Sequence, residues 1–466
     1  MSLSIQTVKG LTTDELLKLQ ALLSVYDYHI APNKEKARYY EGHISLSEVN
    51  LGIALPRGMR GLEVGCEWGR KCVDVLASRS MFDGFVGSNG EVNETLQRII
   101  EGNRLVAEYD KSTKDELKFG CTFITLSADA ELGCKIRFHS PMTAAALWSG
   151  EKGRIDCGLA IIDTVPDEKY TNTWTPSKLN LYTDDAIIVL DKEKAGWKAT
   201  RFPHRMGRPL MVPMVWNATS DKPFGSSRIK EPIRRLIQGY VRTLANASIG
   251  LEFSTSPQKY LMGVSDDQFD EIMSDKFKQY VGSIIAGTTN PENGEKPTFG
   301  QLPQGTITPH VNMIRILATQ FSAATGLTVT DTGVVNDANP TSSDAILAQS
   351  QTLVLMAEQL NASNGDALKT VALMAQAIAK NTNIEGLTDE ERDVIAHFKN
   401  PAMPSVSVTA DAAIKIASSR PAFADTDTFL EMIGFGQADI RRIKAQEQRA
   451  RGQLVLEEVT DEDFEQ

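Results

Sequence analysis

The stretch GLEVGCEWGRK, residues 61–71, places Glu63, Gly65 and Gly69 in an order that chemistry can use. An acidic residue and spaced glycines between a strand and a helix let the backbone approach a nucleotide-type cofactor closely. The reaction would be methyl transfer from S-adenosylmethionine. The position nearest the cofactor, however, is Glu67, followed by Trp68. A carboxylate and an indole occupy the space the cofactor needs. The preceding LPRGMRGLEV carries Pro56, Gly58, Arg60 and Gly61, where a buried parallel strand requires a continuous apolar run. The S-adenosylmethionine-dependent methyltransferase is therefore the alternative reading. The leading one is a loop into an amphipathic helix that buries Trp68, Cys72, Val73 and Leu76.

No other residues assemble a reaction centre in the sequence. The histidines, His29, His43, His139, His204, His310 and His397, have no ligand or general-base partner at meaningful spacing. Cys66, Cys72, Cys121, Cys134 and Cys157 are odd in number and form no CxxC pair, so neither a disulfide framework nor a zinc site is expected. They read as buried free thiols. Asp184–Asp185 and Asp266–Asp267 could hold a cation, but adjacent aspartates more often form turns and helix caps, as do Asp221 and Asp331 in their loops. No GxSxG, HExxH, Walker A or paired-acid signature occurs. No catalytic residue, cofactor or metal is assigned.

The elements around these residues form an order. A chain of 466 residues with 41% hydrophobic content can fill two to four domains' worth of core. It shows no bilayer-length apolar run and no secretory leader, so a cytosolic origin without a membrane partner is expected. A net charge of −11 argues against affinity built on neutralising phosphates, though not against a surface that lets DNA pass.

Thr12 and Glu15 form a capping box before Leu16, Leu19, Leu23 and Tyr26 at helical spacing. A charged helical segment with Tyr39 and Tyr40 follows. Further helices are expected over about 67–80 and, with breaks, up to Gly120. Residues 121–217 switch to period two and read as an antiparallel sheet, with Pro209 and Pro213 marking an edge or irregular strand.

Next comes a long helix with Ile229, Ile233, Leu236, Ile237, Tyr240, Val241, Leu244, Ser248 and Leu251 on one face. Arg228, Arg234, Arg235 and Arg242 fall on the opposite face, read as solvated or intersubunit. Such a helix of roughly 25 residues is about 38 Å long. After a turn-rich stretch, Thr308 and Pro309 open another helix, with Val311, Ile314, Leu317, Phe321 and Ala324 on one face and Gly326 at its end. The long helical stretch after 343 is expected to kink or break at NASNG, residues 361–365. MPSVSVTA, residues 403–410, reads as a strand, and the acidic EEVTDEDFEQ as a disordered tail. No repeat period supports a solenoid or array scaffold.

This order, with its local sequences, resembles the portal proteins of tailed double-stranded DNA phages of the long-tailed, siphophage type. ARYYEGHISLSEVNLGIALP (37–56) is similar to the segment near their start. WGRKCVDVLASRSMFDGF (68–85) is similar to the helix that follows. HRMGRPLMVPMVWN (204–217) resembles the strand before their stem, and FGSSRIKEPIRRLIQGYVRTLANASIGLE (224–252) the first stem helix. FGQLPQGTITPHVNMIRILATQFSAATGL (299–327) resembles the end of the clip and the second stem helix. ANPTSSDAILAQ (338–349) resembles the start of the helix after the tunnel loop.

The resemblance implies an α+β portal fold of wing, stem, clip and crown assembled as a ring. Residues 1–224 would be the wing, 225–255 the first stem helix, 256–307 the clip and 308–326 the second stem helix. Residues 327–342 would be the tunnel loop, 343–420 the long broken helix completing the wing, and 421–466 the crown and acidic tail. The ring would be a homo-dodecamer at one capsid vertex. It would be assembled in the host cytoplasm and kept in the virion. Double-stranded DNA would pass through it, without sequence preference.

The large terminase subunit, the major capsid and scaffolding proteins, and the head-to-tail connector (adaptor) proteins would be its partners. The clip turn Asn290, Pro291, Glu292, Asn293 and Gly294 would dock them. Thr328, Thr330, Asp331, Thr332, Val334, Val335, Asn336, Asp337 and Asn339 of the loop would meet DNA. Residues 327–342 contain no Lys or Arg, so that contact would be steric and weakly repulsive.

Overall fold

The structure is a computed structural model. It describes residues 8–44, 65–87, 94–166, 174–194, 196–255, 259–262, 296, 298–301, 306–334, 343–402, 406–436, 439–440 and 442–450. Strand β1 (Val8–Lys9) leads into α1 (Thr13–Tyr40), capped by the Thr12–Glu15 box expected from sequence. The helix continues through Pro32, so the two helical segments read there are one. Then come α2 (Trp68–Ala77), β2 (Phe82–Val86), α3 (Glu94–Gly102) and α4 (Leu105–Phe119). The break between α3 and α4 is at Arg104, held at φ 52°.

The period-two region is two sheets rather than one. β3 (Cys121–Asp129), β4 (Gly133–His139) and β10 (Met211–Val215) form a three-stranded sheet in the order β10-β3-β4. Pro213 lies on its outer strand, where a missing N–H is tolerated, as expected. β5 (Ala144–Ser149), β6 (Arg154–Pro166), β7 (Trp174–Tyr182), β8 (Ala186–Glu193) and β9 (Gly196–Pro203) form an antiparallel meander. β1 joins it parallel to β9, Val8 opposite Trp197, and completes six strands in the order β1-β9-β8-β7-β6-β5. β5 gave no signal in the sequence because its AAALWS has no alternation.

The layers follow from which faces are apolar. Leu19, Leu22 and Leu23 of α1 cover one face of the six-stranded sheet, against Leu159, Leu179, Leu181 and Ile188. The other face packs, through Ala144, Ile155, Ala160 and Ile187, into a core shared with Phe123, Ile124, Leu126 and Met211 of the small sheet. Fully burying each of the Leu, Ile, Phe and Met side chains among these stabilises by about 1.5–3 kcal/mol.

Helices α5 (Glu231–Thr255) and α6 (Thr308–Thr325) pack together, with strands β11 (Lys259–Met262) and β12 (Thr298–Gln301) paired antiparallel between them in sequence. Ile229, Ile233, Ile237 and Val241 are buried, while Leu251 is exposed. On α6 the buried residues are Leu317, Ala318, Phe321 and Thr325, and both Val311 and Ala324 are exposed. Gly326 ends α6 at φ 73°, where a side chain would be strained.

Helix α7 (Ser343–Ala379) spans 37 residues, roughly 55 Å, without interruption. This corrects the break expected at 361–365. Leu353, Ala357, Leu360, Asn364, Leu368, Val371 and Ala375 form one buried stripe, and Asn364 sits on it. Its side-chain amide donates to Tyr109 Oη at 3.0 Å and Glu116 Oε2 at 2.8 Å. Ser363 Oγ donates to the Val215 carbonyl at 3.0 Å. Ser363 Oγ and the Asn364 amide nitrogen are thus satisfied by other elements, which favours keeping these residues mid-helix, while Oδ1 of Asn361 and of Asn364 is buried without a partner.

After α8 (Asp389–Arg392), β13 (Ile395–Phe398) pairs antiparallel with β2. The strand expected within 403–410 is instead the start of α9 (Val406–Ser419). The Val–Ser alternation there is too short to outweigh the helical run behind it. α10 (Asp427–Ile433) follows. The tail EEVTDEDFEQ lies outside the described residues.

Candidate functional site

The glycine motif resolves into packing. Gly69 lies in the first turn of α2 directly over α1; a Cβ there would sit 2.1 Å from the Tyr39 carbonyl oxygen. That glycine permits a close helix contact. Glu67 is exposed and pairs with Arg70 at 3.4 Å. Trp68, Cys72, Val73 and Leu76 are all buried, as expected. Glu63 lies outside the described residues, and nothing approaches Gly65 within 4 Å of a built Cβ.

The Asp184–Asp185 pair and His139 are used locally. Asp184 accepts from Lys152 at 2.8 Å and pairs with Arg154, while Asp185 accepts from Thr183 Oγ1 at 2.8 Å. Asp266 and Asp267 lie outside the described residues. His139 shares a 3.0 Å hydrogen bond with Thr125, and burial pushes it down to about 4. All five cysteines are buried and free; burial raises Cys66, Cys121 and Cys134 to about 12 and Cys157 to about 11. Such thiols are inert. Among the described residues no group of His, Cys, Asp or Glu side chains is placed to hold a metal, and no helix is long and apolar enough to cross a membrane.

The distinctive arrangement is instead the junction of α2, α5, α6 and α7. Trp68 lies with its ring centroid 4.4 Å from Tyr240 of α5 and 4.8 Å from Phe321 of α6. Its indole N–H donates to the Thr332 carbonyl at 3.1 Å. Arg228, placed by sequence on a solvated face, is buried. Its Nε donates to the Cys72 carbonyl at 2.6 Å and its Nη2 to the Thr325 carbonyl at 2.6 Å. Nη1 lies 3.6 Å from Met356 Sδ. The guanidinium thus ties α2, the end of α6 and α7 together through neutral acceptors. Arg228 precedes α5 in a segment without helical periodicity, so no local pattern marks this inversion. Of the other arginines, Arg234 is half-buried beside Glu35, and Arg235 and Arg242 are exposed.

Beyond Gly326 the chain does not run free. Thr330–Thr332 form a 3₁₀ turn closed by Gly333 at φ 79°. Asp331 Oδ2 accepts from both Thr328 N and Thr328 Oγ1 at 2.8 Å, and Thr328 Oγ1 meets Thr330 Oγ1 at 2.9 Å. Val329 and Val334 pack against the helix core, and with Arg315, Ile316, Thr319 and Gln320 they line a groove of about 280 Å³. The structure therefore brings Thr328, Thr330, Asp331, Thr332 and Val334 into one turn. Val335, Asn336, Asp337 and Asn339 of the same loop, and Asn290, Pro291, Glu292, Asn293 and Gly294, lie outside the described residues.

Comparison with known proteins gives one consistent result. The family described as "Phage portal protein, SPP1 Gp6-like" matches residues 29–453. The portal protein of Mycobacterium phage L5 is 25% identical over 78% of this chain and 75% of its own length. That of Mycobacterium phage D29 is 22% identical over 97% of this chain and 92% of its own. A chain from the neck of an empty gene transfer agent particle has a TM-score of 0.47 at 10% identity, covering 85% of this chain and 99% of that one. A chain from the native particle's neck has a TM-score of 0.45 at 12% identity, covering 85% and 99%. With that match running through the sheets, the helix junction and the Thr328–Val334 turn, the protein belongs to the SPP1 Gp6-like family of phage portal proteins.

Proposed function

We propose that this portal protein closes with copies of itself into a dodecameric ring at one capsid vertex. Genomic DNA is driven through the ring by the large terminase subunit during packaging and leaves by the same path at ejection. Head-to-tail connector proteins attach to it, and the major capsid and scaffolding proteins surround it. The ring forms in the host cytoplasm and is retained in the virion. Its role is that of a conduit and a platform, not of an enzyme.

In this reading residues 1–224 are the wing, α5 and α6 the stem, 256–307 the clip, 327–342 the tunnel loop, 343–420 the helix completing the wing, and 421–466 the crown and tail. Residues 290–294 dock the motor and then the connector. The tunnel loop meets DNA through hydroxyls, amides and apolar tips, without basic side chains.

One observation carries the reading. Helix α6 buries Leu317, Ala318 and Phe321 within the chain, yet Met313 and Ile316, off that stripe, are 44% and 52% exposed. Val311 is exposed as well. A helix apolar on more than one side is one that packs on more than one side. A neighbouring copy in a closed ring supplies the second side. Sedimentation and electron microscopy of the purified protein test this. Rings with a central hole are expected; monomer alone at high concentration would overturn it.

A further inference from the structure

We propose that Trp68 is the positioning residue of the connection between α6 and α7, fixing the turn Thr328–Val334 on α2. The consequence for DNA passage rests on the portal reading above. Three observations lead here.

First, the turn is ordered by its own bonds. The amides of Asp331, Thr332 and Gly333 donate to the carbonyls of Thr328, Val329 and Thr330 at 3.0–3.1 Å. The Thr328 amide donates to Asp331. A turn this short, closed by four amide bonds, needs an external tie to hold one position against the entropy of ordering it.

Second, Trp68 supplies that tie. Its N–H reaches the Thr332 carbonyl, 264 residues away in the chain. The indole is 3% exposed and is held between Tyr240 and Phe321. The donor therefore cannot swing without opening the core. Indole N–H is donor only, and a buried one must find an acceptor.

Third, the helix end beside the turn is held separately. Arg228 donates to Thr325, and Gly326 caps α6 through its amide bond to Ser322 at 2.9 Å. Val329 and Val334 also pack the turn against the helix core, so loss of the Trp68 bond should loosen the turn rather than release it, and leave α6 in place.

With its root fixed, the turn through Val334 holds one position on α2 in every copy. The Asp331 carboxylate, bound to Thr328, acts within the turn as its staple.

Trp68→Phe keeps an aromatic ring and removes the donor. Hydrogen exchange of the purified protein should show the amides of Thr328, Asp331, Thr332 and Gly333 exchanging about tenfold faster. The smaller ring leaves a cavity and should lower the melting temperature somewhat, but exchange in α2 and α6 should rise far less than in the turn. Packaging by phage carrying the variant should slow several-fold at equal ring yield. Asp331→Ala, which leaves α2 untouched, should give the same local exchange and the same slowing, and it serves should Trp68→Phe fail to fold.

Unchanged exchange at those four amides, or fast exchange already in the parent, overturns the clamp. Fast exchange with normal packaging overturns the positioning role and leaves the portal reading standing. Failure of the parent to form rings overturns the portal reading, while the exchange result still judges the clamp.

Discussion

Asn364, in the middle of a 37-residue helix, donates its side-chain amide to Oε2 of the Glu116 carboxyl group at 2.8 Å, and neither side chain is exposed. The same amide meets Tyr109, which shares a 2.7 Å hydrogen bond with Ser80. One polar knot thus joins α7 to α4 and to the end of α2 where an apolar contact would otherwise stand.

Removing one partner from this knot leaves the other buried and unpaired. Asn364→Leu should destabilise the chain by about 2–4 kcal/mol. The double variant Asn364→Leu with Glu116→Leu should cost less than the sum of the single changes. Denaturant melts read both. Additive losses would show that the two side chains do not act as a pair.

Burial raises Glu116 from 4.5 to about 8. The folded chain therefore holds a proton that the unfolded chain releases between those values. This contribution is complete below about pH 4.5 and is lost as pH rises through 8, at no more than about 1.4 kcal/mol per pH unit. His139 acts with the opposite sign. Burial, with Arg137 nearby, lowers it to about 4, so its contribution is complete above 6.5 and is lost as pH falls toward 4. Glu116→Gln should flatten the alkaline limb of a stability–pH curve and leave the acidic limb alone. An unchanged alkaline limb would remove Glu116 as its cause.

Ile316→Asp and Met313→Asp place charge on apolar surface that is exposed within one chain. Folding stability should shift by no more than about 0.5 kcal/mol for Met313→Asp, and by more for Ile316→Asp, because Ile316 lines the groove with Val329 and Val334. Ring formation should fail, with folded monomer by sedimentation. Normal rings would mean that this face is not between copies.

Gly69→Ala should be poorly tolerated, since its Cβ would meet the Tyr39 carbonyl at 2.1 Å. Overpacking of this kind costs about 1–3 kcal/mol as α2 moves off α1. A thermal melt measures it. A parent-like melting temperature would show that the two helices separate without cost.

What the sequence made legible depended on distance along the chain. The Thr12–Glu15 box is visible because its partners are three residues apart. The stripe on α5 is visible because burial repeats with the helix. The breaker residues at 361–365 misled because what keeps them helical is 248 residues away. Arg228 misled for the same reason, its acceptors being 156 and 97 residues distant. In the loop, the family resemblance marked Thr328 and Asp331 as surface for DNA. Their mutual bonds, and the tie from Trp68, belong to tertiary structure and left no local pattern. The family resemblance was legible because it rests on order along the chain, which does not require knowing any contact.

The large sheet ends on one side in β1, two residues long, and on the other in β5, whose register shifts between Leu147 and Trp148. Unpaired backbone at a sheet margin is a template for any other strand, and the danger grows with the number of identical chains held side by side. The stub covers only Trp197 and Lys198 of β9, whereas at β5 the bulge spoils the spacing an incoming strand would have to match. At the β5 margin, copies crowded at one place can therefore meet through their helices without their sheets fusing into a continuous ribbon.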